Sequence, residues 1–203
     1  MNIFGVGLNY HEHIKEFGGE VPSEPVIFMK SSTAYLPNGK PFFYPGFSDD
    51  IHYEVELVVR IGRLGKGIRE PFAAGYISDV TVGVDLTARD LQTALRKKGL
   101  PWELSKAFDG SAPVGSFVSP SEAGDLQKVE LMLIKNGQTV QKGNTADMIF
   151  PVSRLISHIS QYFTLQTGDL IFTGTPPGVG SVQKGDRIEG FLNGRKLLDF
   201  SIK

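Results

Sequence analysis

A short apolar segment that contains two acids constrains this chain more than any other feature. "HYEVELVVRIG", residues 52–62, has the Val, Leu and Ile content of a buried strand, yet it carries Glu54 and Glu56. Because side chains alternate across a strand, His52, Glu54 and Glu56 are expected on one face and the odd-numbered apolar residues on the other. Two carboxylates rooted roughly 7 Å apart repel each other unless a cation lies between them. An edge strand with a polar outer face is the alternative, but no Lys or Arg lies between the acids.

A third acid occurs in a similar setting. Asp85 ends a β-like run in "TVGVDLTARD", residues 81–90, where an Asp is commonly a turn or cap residue. The chain has no cysteine, so three converging carboxylates would form an all-oxygen site. Such a site suits Mg²⁺, Mn²⁺ or Ca²⁺ and not structural zinc. Three ligands are too few for a closed calcium cage, so positions would stay open for water and substrate, as at a catalytic Mg²⁺.

Other polar residues elsewhere in the sequence are further candidates for the site. His13 and Glu16 are three positions apart on a short predicted helix, so His13 would act as a general base oriented by Glu16, or the pair would be a solvated helix face. Arg89 and Gln92 have the same spacing on a second predicted helix, with a surface helix as the alternative. Lys106 falls in a predicted loop, where a lysine is ordinarily solvated. The spacing by itself leaves these alternatives open.

Turn residues set the expected fold class. The 203 residues include 24 Gly and 12 Pro, which predicts short strands and short helices joined by many turns. Asn136-Gly137 and Asn193-Gly194 predict tight hairpin turns. The loop "TGTPPGVG", residues 173–180, could direct hydroxyl and backbone N–H groups at an anion. We therefore expect one α+β, mainly β domain spanning residues 1–203.

Three helices are predicted. The first covers "YHEHIKEFGG" and is expected to end at Gly18 and Gly19. The second covers residues 87–99, with Thr87 as its N-cap and Gly99 beyond its end. The third is the amphipathic segment 150–163. The segment 100–117, which contains Lys106, is expected to be mostly loop, and the basic run Arg96, Lys97 and Lys98 is expected to be structural or solvated.

The charge balance and the distribution of apolar residues exclude several classes. The net charge of −1 provides no basic surplus for sequence-independent binding of nucleic acid. No apolar run approaches the roughly 20 residues needed to span a bilayer. The opening residues lack the basic and long apolar regions of a signal peptide. We expect a cytoplasmic protein whose partner is a small molecule and not nucleic acid or a membrane.

Seven blocks of the chain resemble the signature blocks of the fumarylacetoacetate hydrolase superfamily, in family order. They are "GLNYHEHIKE", "VIFMKSSTAY", "HYEVELVV", "VDLTARDLQ", "PWELSKAFDGSAPVG", "NGQTVQKGNTADMIF" and "GDLIFTGTPPGVG". The similarity is greatest to the short, single-domain branch of acylpyruvate hydrolases and oxaloacetate decarboxylases or tautomerases. It implies mixed β-sheets rolled into a sandwich or barrel with short helices, usually assembled as a homodimer.

The resemblance also implies residue roles. Its metal ligands match Glu54, Glu56 and Asp85, which would hold Mg²⁺ or Mn²⁺, with Ca²⁺ as a substitute in crystals. Its catalytic residues match His13 and Glu16, carried on a lid helix within residues 1–18, together with Lys106. Its substrate-binding residues match Lys30, Arg89, Gln92 and Thr175. One departure is Ser31, which follows Lys30 where family members often have proline.

The implied activity is metal-dependent chemistry on small 2-oxo acids. Hydrolytic C–C cleavage of acylpyruvates, of the acetylpyruvate or fumarylpyruvate type, would give pyruvate and a carboxylic acid. The same site would also serve decarboxylation or tautomerisation of oxaloacetate through an enolate. One alternative is an isomerase or hydratase of aromatic catabolism, similar to 2-hydroxyhepta-2,4-diene-1,7-dioate isomerases. Another is a non-catalytic metal-binding β-sandwich, although such a protein would be expected to have lost part of the polar set.

Overall fold

The computed structural model describes residues 1–16 and 20–203. The strands in this part of the chain are β1 (Ile3–Gly7), β2 (Val26–Lys30), β3 (Tyr35–Pro37), β4 (Ile51–Tyr53), β5 (Val55–Ile61), β6 (Ile77–Val84), β7 (Thr87–Ala88), β8 (Ala112–Val114), β9 (Glu130–Lys135), β10 (Gln138–Asn144), β11 (Leu170–Phe172), β12 (Gly180–Ser181), β13 (Arg187–Leu192) and β14 (Arg195–Ser201). The helices are α1 (His11–Glu16), α2 (Arg89–Lys97), α3 (Glu103–Lys106), α4 (Pro120–Ala123) and α5 (Val152–Tyr162), with 3₁₀ segments at Ser32–Ala34, Glu70–Tyr76 and Thr145–Asp147.

The described strands form three sheets. The largest has the order β2-β1-β11-β5-β6-β8-β3 and is mixed, because β1 runs parallel to β11 and β3 parallel to β8. The second, β10-β9-β13-β14, is antiparallel, and the third consists of the short strands β12-β4-β7. Strands β9, β13 and β14 contact β5, β6 and β8 of the large sheet. The expected mixed-sheet α+β fold is confirmed.

The core lies between the two larger sheets and is centred on β5 and β6. Val55, Leu57, Val58 and Val59 are all fully buried, so β5 is covered on both faces, which is typical of a central strand that reads as a continuous apolar run. The two sheets approach closely at Gly190 of β13. A Cβ added there would lie 3.1 Å from the side chain of Val82 on β6, so a larger residue would push the sheets apart.

Both predicted hairpins form. Asn136 and Gly137 connect β9 to β10 with φ values of 52° and 79°, and Asn193 and Gly194 connect β13 to β14 with 48° and 76°. Positive φ at both central residues is the conformation of the type I′ turn that Asn-Gly favours between antiparallel strands. These turns therefore pair the four strands of the second sheet as two hairpins.

The helices agree with the sequence in part. The amphipathic helix α5 packs on the 3₁₀ segment Glu70–Tyr76, and Gly99 lies beyond α2 with a φ of 64°, as predicted. The predicted N-cap at Thr87 is wrong, because Thr87 belongs to β7 and α2 begins at Arg89 after Ala88. Pairing of β7 with β4 explains the difference, since a tertiary strand contact overrides the local preference of Thr for a cap.

Two further expectations concern the segment 100–117 and the first helix. The segment expected to be mostly loop contains the single-turn helix α3 and the strand β8. Helix α1 forms at the predicted place, and its Ile14 is buried in the body of the protein. Its expected end at Gly18 and Gly19 lies outside the described residues. Among the helices described, none combines the length and apolar character that crossing a bilayer would require.

Candidate metal centre and active site

Glu54 and Glu56 lie where the chain passes from the three-stranded sheet into the largest sheet. Strand β4 ends before Glu54 and β5 begins after it, so the expected continuous strand is interrupted at Glu54 itself. Strand β5, which carries Glu56, lies between β11 and β6, and this contradicts the edge-strand alternative. His52 does not join the acids, because its Nε2 lies 2.9 Å from Oδ1 of Asp50.

The third acid reaches the same place through strand pairing. Val84 is the partner of Val55, so Asp85, one residue further on, emerges beside Glu54. The backbone N–H of Asp85 donates to the carbonyl of Glu54 at 2.8 Å. One carboxylate oxygen each from Glu54, Glu56 and Asp85 lie within 4.8 Å of one another, and the residues are 5%, 1% and 1% exposed. Three acids are therefore buried together at the edge of the core.

Lys106 lies between two of these acids. Its Nζ is 2.9 Å from Oε2 of Glu54, 2.6 Å from Oδ2 of Asp85 and 2.6 Å from Oγ1 of Thr87. An ammonium group has three N–H donors, and these contacts use all of them. Lys106 ends helix α3 and is only 3% exposed, so the solvated loop lysine expected as the alternative is wrong. Burial lowers its pKa, but Asp85 and Glu54 outweigh this and the pKa lies above its usual value.

Two further cations reach the cluster. Lys30 is buried below Asp85, with Nζ 2.7 Å from Oδ1 of that residue and 3.0 Å from the carbonyl of Ser111. Arg89 donates through Nη2 to Oε1 of Glu54 and through Nη1 to Oε1 of Gln92, both at 2.5 Å. Arg89 therefore lies at the cleft, whereas the contacts of Lys30 hold Asp85 from behind instead of reaching toward a ligand.

Glu56 is held differently from the other two acids. The recorded ion pairs of the cations go to Glu54 and Asp85, and Glu56 accepts the backbone N–H of Gly174 at 2.6 Å. Gly174 has a φ of 99°, and a Cβ there would lie 2.7 Å from Cβ of Asn9, so only glycine presents its N–H in this way. The Gly-rich loop thus directs N–H groups at the protein's own carboxylates.

The pKa shifts of Glu56 and Glu54 indicate whether a divalent cation fits among the acids. Burial raises the pKa of Glu56 well above its usual value, and the charges of Asp85 and Glu54 raise it further. Burial also disfavours the charged form of Glu54, but Lys106 and Arg89 outweigh it and hold its pKa well below the usual range. A divalent cation beside Glu56 would relieve the repulsion that raises its pKa. The all-oxygen donor set matches Mg²⁺ or Mn²⁺.

His13 and Glu16 meet on helix α1, as their spacing predicts. Nδ1 of His13 is 3.2 Å from Oε2 of Glu16, and Oε1 of Glu16 accepts the N–H of Gly178 at 2.9 Å. Glu16 therefore connects the helix to the Gly-rich loop. Burial lowers the pKa of His13, and the nearby Glu54 and Glu16 carboxylates oppose this without reversing it. The imidazole accordingly favours its neutral form near neutral pH.

One small cleft of about 40 Å³ joins these groups. Of the residues expected at the site, those that line the cleft are His13, Glu54, Glu56, Asp85, Arg89, Gln92, Lys106 and Thr175. Glu16 and Lys30 stand behind the lining residues and hold His13 and Asp85.

Two residues that hold the site carry no local signal in the sequence. Gln141 of β10 is 2% exposed; its Oε1 accepts from the N–H of Val55 at 2.9 Å and its Nε2 donates to Oγ1 of Thr175 at 3.0 Å. Asn9 is 1% exposed and donates to the carbonyl of Thr173 at 2.7 Å. A buried amide side chain that links strands distant in sequence becomes recognisable only once the strands are assembled.

The comparisons with known proteins extend over nearly the whole chain. Residues 2–196 match the family model described as fumarylacetoacetate (FAA) hydrolase C-terminal. The chain belongs to the fumarylacetoacetate hydrolase family. It is thus a member of a family of enzymes in its single-domain branch, as its sequence blocks indicate.

Several relatives are similar over most of their length. The protein named oxaloacetate tautomerase FAHD1, mitochondrial, of Rattus norvegicus is 44% identical over 202 residues, covering 100% of this chain and 91% of its own. The protein named oxaloacetate decarboxylase, mitochondrial, of Dictyostelium discoideum is 46% identical over 193 residues, covering 95% and 88%. The fumarylpyruvate hydrolase of Pseudomonas aeruginosa, solved in complex with Mn²⁺ and pyruvate, superposes with a TM-score of 0.94 at 37% identity, covering 100% of this chain and 89% of that one.

Proposed function

We propose that this protein is a Mg²⁺- or Mn²⁺-dependent hydrolase that cleaves the C–C bond of acylpyruvates to give pyruvate and a carboxylic acid. The observation that carries the proposal is the placement of a neutral, carboxylate-oriented histidine and three buried acids on one cleft. The acids alone would support metal binding without catalysis. The histidine adds a base directed at the same space.

Glu54, Glu56 and Asp85 would hold the metal ion. The P. aeruginosa relative was solved with Mn²⁺ and pyruvate, which supports both this metal class and a 2-oxo acid ligand. When bound, the dication would supply Lewis-acid polarisation of the carboxylate and 2-oxo oxygens of the substrate.

The cations of the chain would complement the charge of the substrate. Arg89 is oriented by Gln92 and would bind the carboxylate end of the substrate together with it. Lys106 has all three N–H groups engaged, so it would stabilise a developing enolate through its charge and not through a new hydrogen bond. The hydroxyl of Thr175, fixed by Gln141, would meet an oxo group from the opposite side.

His13 would move the proton in the hydrolytic step. Because Glu16 accepts at Nδ1, the neutral ring carries its proton there and presents the Nε2 lone pair to a water in the cleft. His13 takes one proton from that water, and the hydroxide adds to the carbonyl carbon beyond C3. The bond from that carbon to C3 then breaks, its electron pair becomes the enolate of pyruvate, and the proton is returned to C3. Water and acylpyruvate thereby give pyruvate and the acid.

Tautomerisation of oxaloacetate is a second candidate, which the name of the R. norvegicus relative favours. It needs proton transfer at C3 and no attack by water. Decarboxylation would proceed from the same pose, with loss of carbon dioxide in place of hydrolysis. The isomerase of aromatic catabolism remains an alternative that uses the same enolate chemistry.

A substrate panel tests the proposal. Protein stripped with EDTA and reloaded with Mg²⁺ or Mn²⁺ is assayed with acetylpyruvate, fumarylpyruvate and each oxaloacetate tautomer, following pyruvate release and the enol absorbance. We expect metal-dependent pyruvate release from the acylpyruvates. Activity that persists undiminished in EDTA would rule out the metal role, and turnover of oxaloacetate tautomers alone would replace hydrolysis by the second candidate.

We also propose that the chain acts as a homodimer in the cytoplasm. Phe47 and Leu104 are 52% and 70% exposed and line the same apolar surface groove, and a contiguous exposed apolar patch commonly marks a protein–protein interface. Equilibrium sedimentation at micromolar concentration tests the assembly, and a mass of one chain would refute it. The cytoplasmic location stays a prediction, since two of the relatives described above are named mitochondrial.

A further inference from the structure

The mouth of the cleft carries a cation that the proposed reaction does not use. Arg96 lies on α2 four positions after Gln92 and seven after Arg89, so the three share one face of the helix, and all three line the cleft. The sequence placed Arg96 in a solvated basic run with Lys97 and Lys98. Arg96 is exposed, yet it differs from these two lysines in lining the cleft.

No acid within the described residues forms an ion pair with Arg96. Arg89, by contrast, is paired with Glu54. A guanidinium at the edge of a substrate cleft with its donors open to solvent can bind a carboxylate in a bidentate manner. A negatively charged ligand, and not an acid of the protein, would then pair with Arg96.

The cleft that holds the acid cluster and Arg96 also has an apolar wall. Leu8, Phe28 and Trp102 line the same cleft, and the rings of Phe28 and Trp102 are 6.1 Å apart between centroids. Leu8 has a φ of 58°, a left-handed conformation that is uncommon for leucine and that positions it at the cleft. Phe28 folds over Gly5 of β1, where a Cβ would clash with its ring. The wall offers a carbon chain a mainly apolar surface.

We propose that Arg96 and this wall form a subsite for the far end of the substrate, which selects 2-oxo acids whose carbon chain ends in a second carboxylate. This inference rests on the proposed function, because it assigns the 2-oxo end to the acid cluster and Arg89. The apolar wall contacts the chain, and Arg96 binds the terminal carboxylate. Neutral acyl groups lack the second interaction and bind less tightly.

The helix geometry favours a long diacid. Seven residues of α-helix rise about 10 Å, so the two arginines are separated by considerably more than the two carbons between the carboxylates of oxaloacetate. The seven-carbon chain of fumarylpyruvate extends further toward Arg96. The subsite should therefore distinguish acylpyruvates with a terminal carboxylate from those without one. It should contribute little to the binding of oxaloacetate.

Binding of two inert probes tests the subsite without any turnover. 2-Oxoadipate and 2-oxohexanoate have the same six carbons and the same 2-oxo acid end, and they differ in the terminal carboxylate. Neither has the second carbonyl that C–C hydrolysis requires. Titration calorimetry with Mn²⁺-loaded protein is expected to show about tenfold tighter binding of 2-oxoadipate, the size of one charge-assisted hydrogen-bonded contact.

Variants assign that preference to one side chain. Arg96→Gln is expected to make the two affinities equal, and Arg96→Lys to retain part of the preference. Lys97→Gln is the matched control, because Lys97 is exposed on the same helix and does not line the cleft. Equal affinities in the unchanged protein, or a preference that survives in Arg96→Gln, would overturn the proposal. A preference that depends on Arg96 in a protein that hydrolyses no acylpyruvate would refute the reaction and leave the subsite standing.

Discussion

The Glu56→Gln variant is expected to lose metal-dependent turnover of every substrate while it folds at least as stably as the unchanged protein. Its amide oxygen can still accept the N–H of Gly174. Its neutral side chain removes a buried negative charge that Glu54 and Asp85 disfavour, as the raised pKa of Glu56 indicates. Metal affinity should fall because one anionic ligand of the proposed metal site is lost. A site that costs stability in exchange for ligand binding is a common compromise at functional centres.

Thermal and urea unfolding with and without Mn²⁺ measure both effects. Metal at a hundredfold excess over its dissociation constant should stabilise the unchanged protein by about 2.7 kcal/mol and the variant hardly at all. Lys106→Met is the contrasting variant: it leaves Glu54 and Asp85 less compensated, so it should lower stability without metal and recover part of the loss when Mn²⁺ is added. A Glu56→Gln protein that still shows the full metal-induced stabilisation would remove Glu56 from the ligand set.

The His13→Ala variant is expected to bind Mn²⁺ normally and to hydrolyse acetylpyruvate about 10²- to 10⁴-fold more slowly, the range that a positioned general base contributes. His13 lines the cleft with its ring oriented by Glu16, so under the proposed mechanism its removal would leave the attacking water without a base. Steady-state kinetics at saturating Mn²⁺ give kcat and KM, and the loss should lie mainly in kcat.

His11→Ala is the matched control for this variant. His11 lies on the same six-residue helix, is exposed and does not line the cleft. Its substitution should leave hydrolysis within about twofold of the unchanged protein, as is usual for surface positions away from a site. Hydrolysis by His13→Ala at the rate of the unchanged protein would show that His13 is not the base, and equal losses in both variants would point to the helix as a whole.

Local features of this protein could be predicted from its sequence. The hairpin turns at Asn136-Gly137 and Asn193-Gly194 form because the φ values they need depend on the turn residues themselves. The burial of β5 follows from its run of branched apolar side chains, which no other environment accommodates as well. The contact between His13 and Glu16 follows from a spacing of three on a helix. In each case the interacting groups lie within a few positions of one another.

Long-range features could not be predicted from the same patterns. Lys106 belongs to a segment without clear periodicity, and only the packing of α3 beside β7 and β2 places its ammonium between Glu54 and Asp85. Thr87 has a residue type that favours a helix cap, but its pairing in β7 makes its hydroxyl a partner of Lys106 instead. Arg96 looks like its lysine neighbours in sequence and differs from them only in which side of α2 faces the cleft.

The amino-acid sequence by itself determined which residues carry charge, where the chain turns and which segments must be buried, because these depend on side-chain chemistry and on neighbours along the chain. Only the tertiary structure decided which cation compensates which acid, and which amide from β10 holds Thr175. Those pairings join residues more than twenty or thirty positions apart. Their distances depend on how three sheets and five short helices of the described chain pack together, and no local pattern contains that information.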